Sequence, residues 1–255
     1  MLFIVQNNIN EKDFQDFKEA VIKAGHEFKD FSHIPFDDSY PEIDTDKVFV
    51  YAASAVTDKI IRDFGEKFAG VYNHTSDINI NDLYETSKEM MWSNRIHKCI
   101  IDDLDKINIE DKFVFIRPAI DDKLFSGEVI ESSKLKNLKD KFILADDSYK
   151  KSELFIGEVN QPEYEYRLFI VNGEVSTSSL YRVHGEVVKE NGSPDEVIYF
   201  AGEFYNKTDL PISCVIDIGV TGNKIGVIEV NSINNSGFYS IDKDKLIMSL
   251  SRSCE

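Results

Sequence analysis

The sequence predicts an α/β N-terminal domain followed by an α+β domain built on antiparallel sheets. Three observations carry this expectation. Up to about residue 90, short apolar runs alternate with stretches whose apolar residues recur at helical spacing. From about residue 112 onward, strand signals dominate. Two tight-turn signatures, Asn172-Gly173 and Thr221-Gly222-Asn223, each separate a pair of strand-like runs.

Taken in order, Leu2 to Val5 reads as a first strand. Asn10 is a candidate cap for a helix that carries Phe14, Phe17, Ala20, Val21 and Ala24 on one face, with Gly25 as its stop. Lys47 to Tyr51 reads as a strand, Val56 to Phe64 as a helix, and Gly70 to Tyr72 as a further strand. Strand–helix–strand order of this kind predicts a small parallel sheet. Residues 82 to 106 read as helical, with Ile96, Ile100, Ile101 and Leu104 as the apolar positions. Phe113 to Ile116 is a strand that runs into Arg117-Pro118. Glu165 to Val171 and Glu174 to Arg182 form the first hairpin, and Val215 to Val220 and Lys224 to Asn231 the second. Helices are expected from Pro194 to about Tyr205 and from Ile241 to Leu250.

Composition narrows the class. Hydrophobic residues make up 42% and charged residues 29% of 255, which is ordinary for a globular chain with a substantial core. No apolar run is long enough to span a bilayer. The first six residues lack a basic leader, so a cytoplasmic location and no membrane partner are expected. The net charge of −17 opposes binding to nucleic acid, which needs a basic patch. Cys99, Cys214 and Cys254 show neither metal-type nor disulfide spacing. No Gly-x-Ser-x-Gly elbow and no Gly-x-Gly-x-x-Gly turn is present, so a serine hydrolase and a dinucleotide site lack support.

Four constellations could carry chemistry. In the second hairpin, strict alternation puts Ile225, Val227, Glu229 and Asn231 on one face, and Asp217 on the partner strand can join them. Three hard oxygen donors there suit Mg²⁺, which keeps its other positions for water and phosphate. A polar strand end facing solvent has the same spacing. In the first hairpin, Glu163, Glu165 and Arg167 share a face. Arg182 ends the returning strand on the face of Ser176, Ser178 and Leu180. Two arginines suit phosphate or carboxylate, because the planar fork donates paired hydrogen bonds. A cross-strand salt bridge reads identically. Arg117 at a strand end and Lys123 in the loop closed by Gly127 could both reach phosphate, although the loop is no Walker loop. Finally, Glu153 to Val159 ends in Gly157-Glu158. Its backbone could pair with an adenine edge and Glu158 with a ribose hydroxyl, or it is a core strand with an exposed end.

In this order the pieces resemble an ATP-grasp domain, and in particular a compact clade found in bacteria and phages. The matching segments are Phe115-Ile116-Arg117-Pro118 through Lys123-x-Phe125-x-Gly127, then Glu165-Tyr166-Arg167-Leu168-Phe169, Tyr181-Arg182, and Asp217 followed by Glu229-Val230-Asn231. The resemblance covers about residues 112 to 240. It implies a small α/β domain over residues 1–90, then an ATP-grasp domain over residues 91–255 with the nucleotide between two α+β subdomains. It further implies that Arg117, where many members carry a lysine, and Lys123 bind phosphates, and that Glu158 sits at the adenine hinge, with Glu165 also toward the nucleotide. Asp217, Glu229 and Asn231 would hold Mg²⁺, and Arg167 and Arg182 would face the phosphates or the acceptor acid.

The expected reaction is ADP-forming ligation of a carboxylate to an amine, on a small molecule, peptide or protein, with ATP and Mg²⁺ as cofactors. A non-catalytic nucleotide-binding or interaction module on the same fold is the alternative. A nucleotide-dependent nucleic-acid enzyme is a third reading, which the charge disfavours.

Overall fold

Strand β1 (Leu2–Gln6) is buried along its whole length and hydrogen-bonds in parallel to β2 (Glu27–Phe31) on one side and β3 (Val48–Tyr51) on the other. A central parallel strand has both faces covered, which is why Leu2 to Val5 form an unbroken apolar run. Phe3 and Val5 enter one core; Leu2 and Ile4 enter another with Val48, Val50, Val56 and Ile60. This is a computed structural model, and it describes residues 1–7, 11–32, 39–64, 78, 80–93, 96–119 and 127–252. The expected cap at Asn10, the strand at Gly70 to Tyr72 and the loop holding Lys123 lie outside the described residues.

Helix α1 (Glu11–Lys23) buries Phe14, Phe17, Ala20 and Val21 of the expected stripe, while Ala24 lies past its end and is exposed, and Gly25 follows with φ +78°. Helix α2 (Ser54–Phe64) buries Val56, Thr57 and Ile60.

The chain forms two compact units. One combines Met1–Ile78 with Pro162–Glu255; the other is Asn79–Gln161. Compactness thus divides the chain differently from the boundary expected near residue 90. The reason is the shared core of the first unit: Phe3, Phe17 and Phe49 pack in one cluster with Phe169, Val171, Val215, Phe238, Leu246 and Leu250.

In the second unit, α3 (Ile80–Ser87) is followed by β4 (Ile96–Ile100), β5 (Phe113–Pro118), β6 (Glu128–Glu131), α4 (Leu135–Ala145) and β7 (Glu153–Glu158). The strands form an antiparallel sheet in the order β4-β7-β5-β6. The helix expected over residues 82 to 106 is corrected here. It ends at Ser87, and Ile96 to Ile100 pair with β7 instead. Ile101 and Leu104 are buried through a short 3₁₀ turn, Ile101–Asp103. Isoleucines at such spacing serve a strand or a helix equally well, and pairing with β7 decides.

The first unit is completed by β8 (Tyr164–Val171), β9 (Glu174–Val183), β10 (Glu186–Asn191), α5 (Asp195–Lys207), β11 (Cys214–Thr221), β12 (Lys224–Asn231) and α6 (Lys243–Arg252). The sheet order is β10-β9-β8-β11-β12, with every neighbour antiparallel. Asn172 (φ 53°) and Gly173 (φ 78°) make the first turn, the left-handed pair that a two-residue hairpin loop requires. The second loop is Gly222-Asn223, since Thr221 pairs with Lys224. Helix α5 lies against β8, β9, β11 and β12 and buries Val197, Ala201 and Phe204. Helix α6 packs on β8 and β9 and runs beside α1, where Lys23 pairs with Asp244 and Lys243 with Asp16. No helix among the described residues is long and apolar enough to cross a membrane.

Candidate functional site

The β8–β11 register places Arg167 opposite Asp217, and the β11–β12 register places Asp217 opposite Glu229. These three side chains therefore share one sheet face. The same face is apolar toward Phe169 and Val215 and turns polar at Arg167 and Asp217. Asn231 shares it and donates its Nδ2 to Glu229 Oε1 at 3.0 Å.

Two corrections to strict alternation follow from β-bulges. Ile218 pairs with Val227 while Asp217 pairs with Glu229, so Ile228 is an extra residue on β12. Ile225 and Val227 consequently face the opposite side from Glu229 and Asn231. On β9, Leu180 pairs with Tyr166 and Arg182 with Glu165, so Tyr181 is the extra residue. Arg182 therefore lies on the face of Arg167 and Glu165, not on that of Leu180. A bulge re-aims the side chains that follow it, and alternation counted along a sequence misses the change.

Arg167 and Asp217 form a buried, two-pronged pair. Nε donates to Asp217 Oδ1 at 2.8 Å and Nη2 to Oδ2 at 2.7 Å. Nη1 donates to the Gly237 carbonyl at 3.4 Å, and Nη2 lies 3.8 Å from Glu229 Oε1. The guanidinium carbon is 5.4 Å from the centroid of the Tyr181 ring and 5.1 Å from that of Tyr239. Burial pushes the Asp217 carboxyl up to about 7, against the downward pull of Arg167, and the nearby Glu229 carboxylate adds to the rise. Burial works to lower the Arg167 guanidinium, but Asp217 outweighs it and the net shift is upward.

Beside this pair, the Tyr181 hydroxyl donates to Glu165 Oε2 at 2.8 Å, and Arg182 Nη1 stands 3.8 Å from the same oxygen. Burial raises the Tyr181 phenol, and the Asp217 and Glu165 carboxylates raise it further. Arg182 is exposed, with 46% of its side chain accessible against 11% for Arg167. Of the two arginines, Arg182 is the one presented outward. Tyr239 and Gly237 had no signature in the spacing. Tyr239 carries a positive φ of 49°, a backbone state that L side chains rarely adopt.

The donor set fits a hard divalent cation: two carboxylates and an amide whose N–H₂ already bonds Glu229, which leaves its carbonyl oxygen for a metal. Among the described residues, no three His, Cys, Asp or Glu side chains cluster to hold a metal alone. A cation here would complete its shell with Asn231, water and phosphate oxygens, the pattern Mg²⁺ favours.

In the other unit, Arg117 pairs with Phe155, and Glu158 with Val114. Val114 belongs to the packed core with Ile116, Leu154 and Ile156. Arg117 and Glu158 therefore face opposite sides of their sheet. Arg117 is half-buried on the side of Phe155 and Tyr84, whose rings lie 5.2 Å apart. Burial pushes the Tyr84 phenol up to about 12, and Arg117 partly opposes it. Gly127 closes on the same side: a Cβ there would stand 2.6 Å from Phe115 Cζ and 3.4 Å from Arg117 Cβ, a spacing only glycine allows without movement. Just past Glu158, the Asn160 carbonyl accepts the indole N–H of Trp92.

A parallel sheet and two antiparallel sheets, one of them bearing an Asp–Glu–Asn group with arginines, define a protein of the ATP-grasp class. Solved structures share this fold: D-cycloserine synthetase DcsG (TM-score 0.65, 11% identity, covering 100% of this chain and 99% of that one); the ATP-grasp ligase PsnB complexed with minimal precursor, Mg and ADP (0.58, 13%, 100% and 97%); and D-alanine–D-alanine ligase from Bacillus anthracis (0.59, 11%, 99% and 96%). Residues 93–248, more than half of the chain, match the family described as ATP-grasp domain, R-2-K clade family 2, and the chain belongs to it. No curated protein sequence matches significantly.

Proposed function

We propose that this chain is an Mg-ATP-dependent ligase that activates a carboxylate as an acyl phosphate and joins it to an amine. The observation that carries the reading is the gathering of Asp217, Glu229 and Asn231 on the face that bears Arg167 and Arg182, in a chain of the ATP-grasp family. The solved relatives add support. One is a complex with Mg and ADP, one a complex with a precursor peptide, and one is a D-alanine–D-alanine ligase. An amino acid or peptide is therefore the acceptor class to try first.

Asp217, Glu229 and Asn231 would hold Mg²⁺, which when bound neutralises phosphate charge as it develops. Arg182, exposed and close to Glu165, is placed to meet an anionic group with its fork. Arg117, Lys123 and Glu158 are assigned to the nucleotide on the resemblance. In the first step a substrate carboxylate oxygen attacks the γ-phosphorus and ADP leaves. In the second the amine nitrogen attacks the acyl carbon, phosphate leaves, and the nitrogen gives its proton to solvent. No side chain becomes covalently attached, so the protein's work is positioning and charge compensation.

Thermal-shift titration with Mg-ATP tests the reading, on the wild type and on Glu229→Ala. A ligand that binds the native state raises the melting temperature. The expected result is an Mg-dependent rise in the wild type that the variant loses, followed by ADP release when acid and amine are supplied together. AMP as the product nucleotide would sink the ligase mechanism. The non-catalytic alternative rests on Arg117, an arginine where many members of the family carry a lysine. That reading predicts ATP binding with no turnover for any acid and amine pair.

A further inference from the structure

The resemblance implies that both arginines of the sheet face meet phosphate or acceptor. The geometry points to a different division of labour: Arg167 is a positioning residue that fixes Asp217 for the cation, and Arg182 alone faces outward. This rests on the Mg-ATP reading above.

Three contacts converge on the Arg167 guanidinium. The bulge at Tyr181 brings that ring beneath the guanidinium, 5.4 Å from its central carbon. Tyr239 reaches it from a left-handed backbone position, and the two rings stack on each other with centroids 4.9 Å apart. The Gly237 carbonyl accepts from Nη1. Of the three, Tyr239 alone has a strained backbone, a state that persists where surrounding structure enforces it. Together the three contacts surround an arginine only 9% exposed, with Nε, Nη1 and Nη2 all bonded inside the protein. Such a group is held rather than offered to a ligand.

What it holds is Asp217, which is fully buried. The paired N–H donors fix the plane of the carboxylate. Each Asp217 oxygen accepts one of these hydrogens and keeps a further lone pair. Glu229 stands opposite on β12 with Asn231 bonded to it, so the carboxylate is locked on the face of its two partners. Hydrogen-bonded supports of this kind orient metal ligands, and their loss commonly weakens metal affinity about 10–100-fold.

The test uses the full chain, with Mn²⁺ as probe. Binding in the presence of ADP is followed by the electron paramagnetic resonance of free Mn²⁺, and ADP binding in EDTA by calorimetry. Arg167→Lys keeps the charge but not the fork. It should weaken Mn²⁺ about 10–100-fold and leave metal-free ADP affinity within about twofold. Tyr239→Leu removes one ring and leaves the ion pair; it should show a smaller loss of the same kind, and it serves if Arg167→Lys misfolds. Mn²⁺ binding in Arg167→Lys that is unchanged or tighter overturns the positioning role. An equal loss of metal-free ADP binding does so too, because it would place Arg167 on the phosphate. A wild type that binds neither Mn²⁺ nor ADP overturns the nucleotide reading itself, and this inference with it.

Discussion

At the scale of single residues, the Arg167–Asp217 pair sets the largest expected effects. Deleting one partner strands a buried charge, which typically costs about 3–5 kcal/mol. Asp217→Asn should therefore lower stability by about 3 kcal/mol in urea unfolding, whereas Glu229→Ala, at a half-exposed position, should change stability little while abolishing the Mg-dependent thermal shift. The two variants thus separate holding the sheet together from holding a cation. The cysteines give an independent check on burial. Cys214 is fully buried and its thiol is pushed up to about 12, while Cys99 is half-buried and pushed up to about 11. A raised thiol stays protonated at pH 8, and only the thiolate reacts. Cys214 should resist a thiol reagent until the chain unfolds, and Cys99 should react slowly; rapid labelling of Cys214 in native protein would contradict the packing of β11.

At the scale of elements, turns and bulges decide what a sequence reveals. Asn172-Gly173 announces its hairpin because only a left-handed pair closes a two-residue loop with the right twist. Gly173→Ala meets two obstacles, a φ of +78° and the Tyr205 ring 3.3 Å from a new Cβ. Gly222→Ala, at φ +55° with nothing within 4 Å, meets only the first. The left-handed conformation costs about 1–2 kcal/mol outside glycine, so Gly173→Ala should destabilise more than Gly222→Ala when both are compared by thermal denaturation. Bulges carry no comparable signature. Asp217, Glu229, Asn231 and Arg167 were legible as strand residues near turns, and their common face is what the register shows. The membership of that face was legible only in part: Ile228 and Tyr181 each add one residue, which turns Ile225 and Val227 away and brings Arg182 in. The bracket of Tyr181 and Tyr239 was illegible for another reason. It joins positions far apart in the chain through a loop conformation that no spacing encodes. Residues 96 to 101 misled because isoleucine spacing fits a strand edge as well as a helix face.

At the scale of the molecule, the first unit is one compact body made from two separate stretches, Met1–Ile78 and Pro162–Glu255. Phe17 stacks on Phe238 with centroids 4.8 Å apart, and Phe238 lies 6.1 Å from Phe169. Phe17→Ala should cost about 3–5 kcal/mol and reduce hydrogen-exchange protection in β8 and β11 as well as in α1. Protection lost in α1 alone would show that the shared core does not act as one. The acidic surface adds an expectation for partners: with a net charge of −17, any affinity for RNA or DNA should disappear at physiological salt.

The shared core of the first unit draws on residues made early and late, so it is expected to close after the core of residues 79–161. Residues 79–161 emerge as an uninterrupted piece and own a core of Ile101, Leu104, Val114, Ile116, Leu135, Leu154 and Ile156. Phe3, Phe17 and Phe49 are made earlier, but Phe169, Phe238 and Leu246 are made later. Strands β1 to β3 are therefore expected to wait, with one apolar face open to solvent, until α6 has been made. Exposed apolar surface on a waiting nascent chain is what chaperones bind and what aggregates nucleate on. Slowing translation after residue 161 should therefore lower the soluble yield more than slowing it before residue 79.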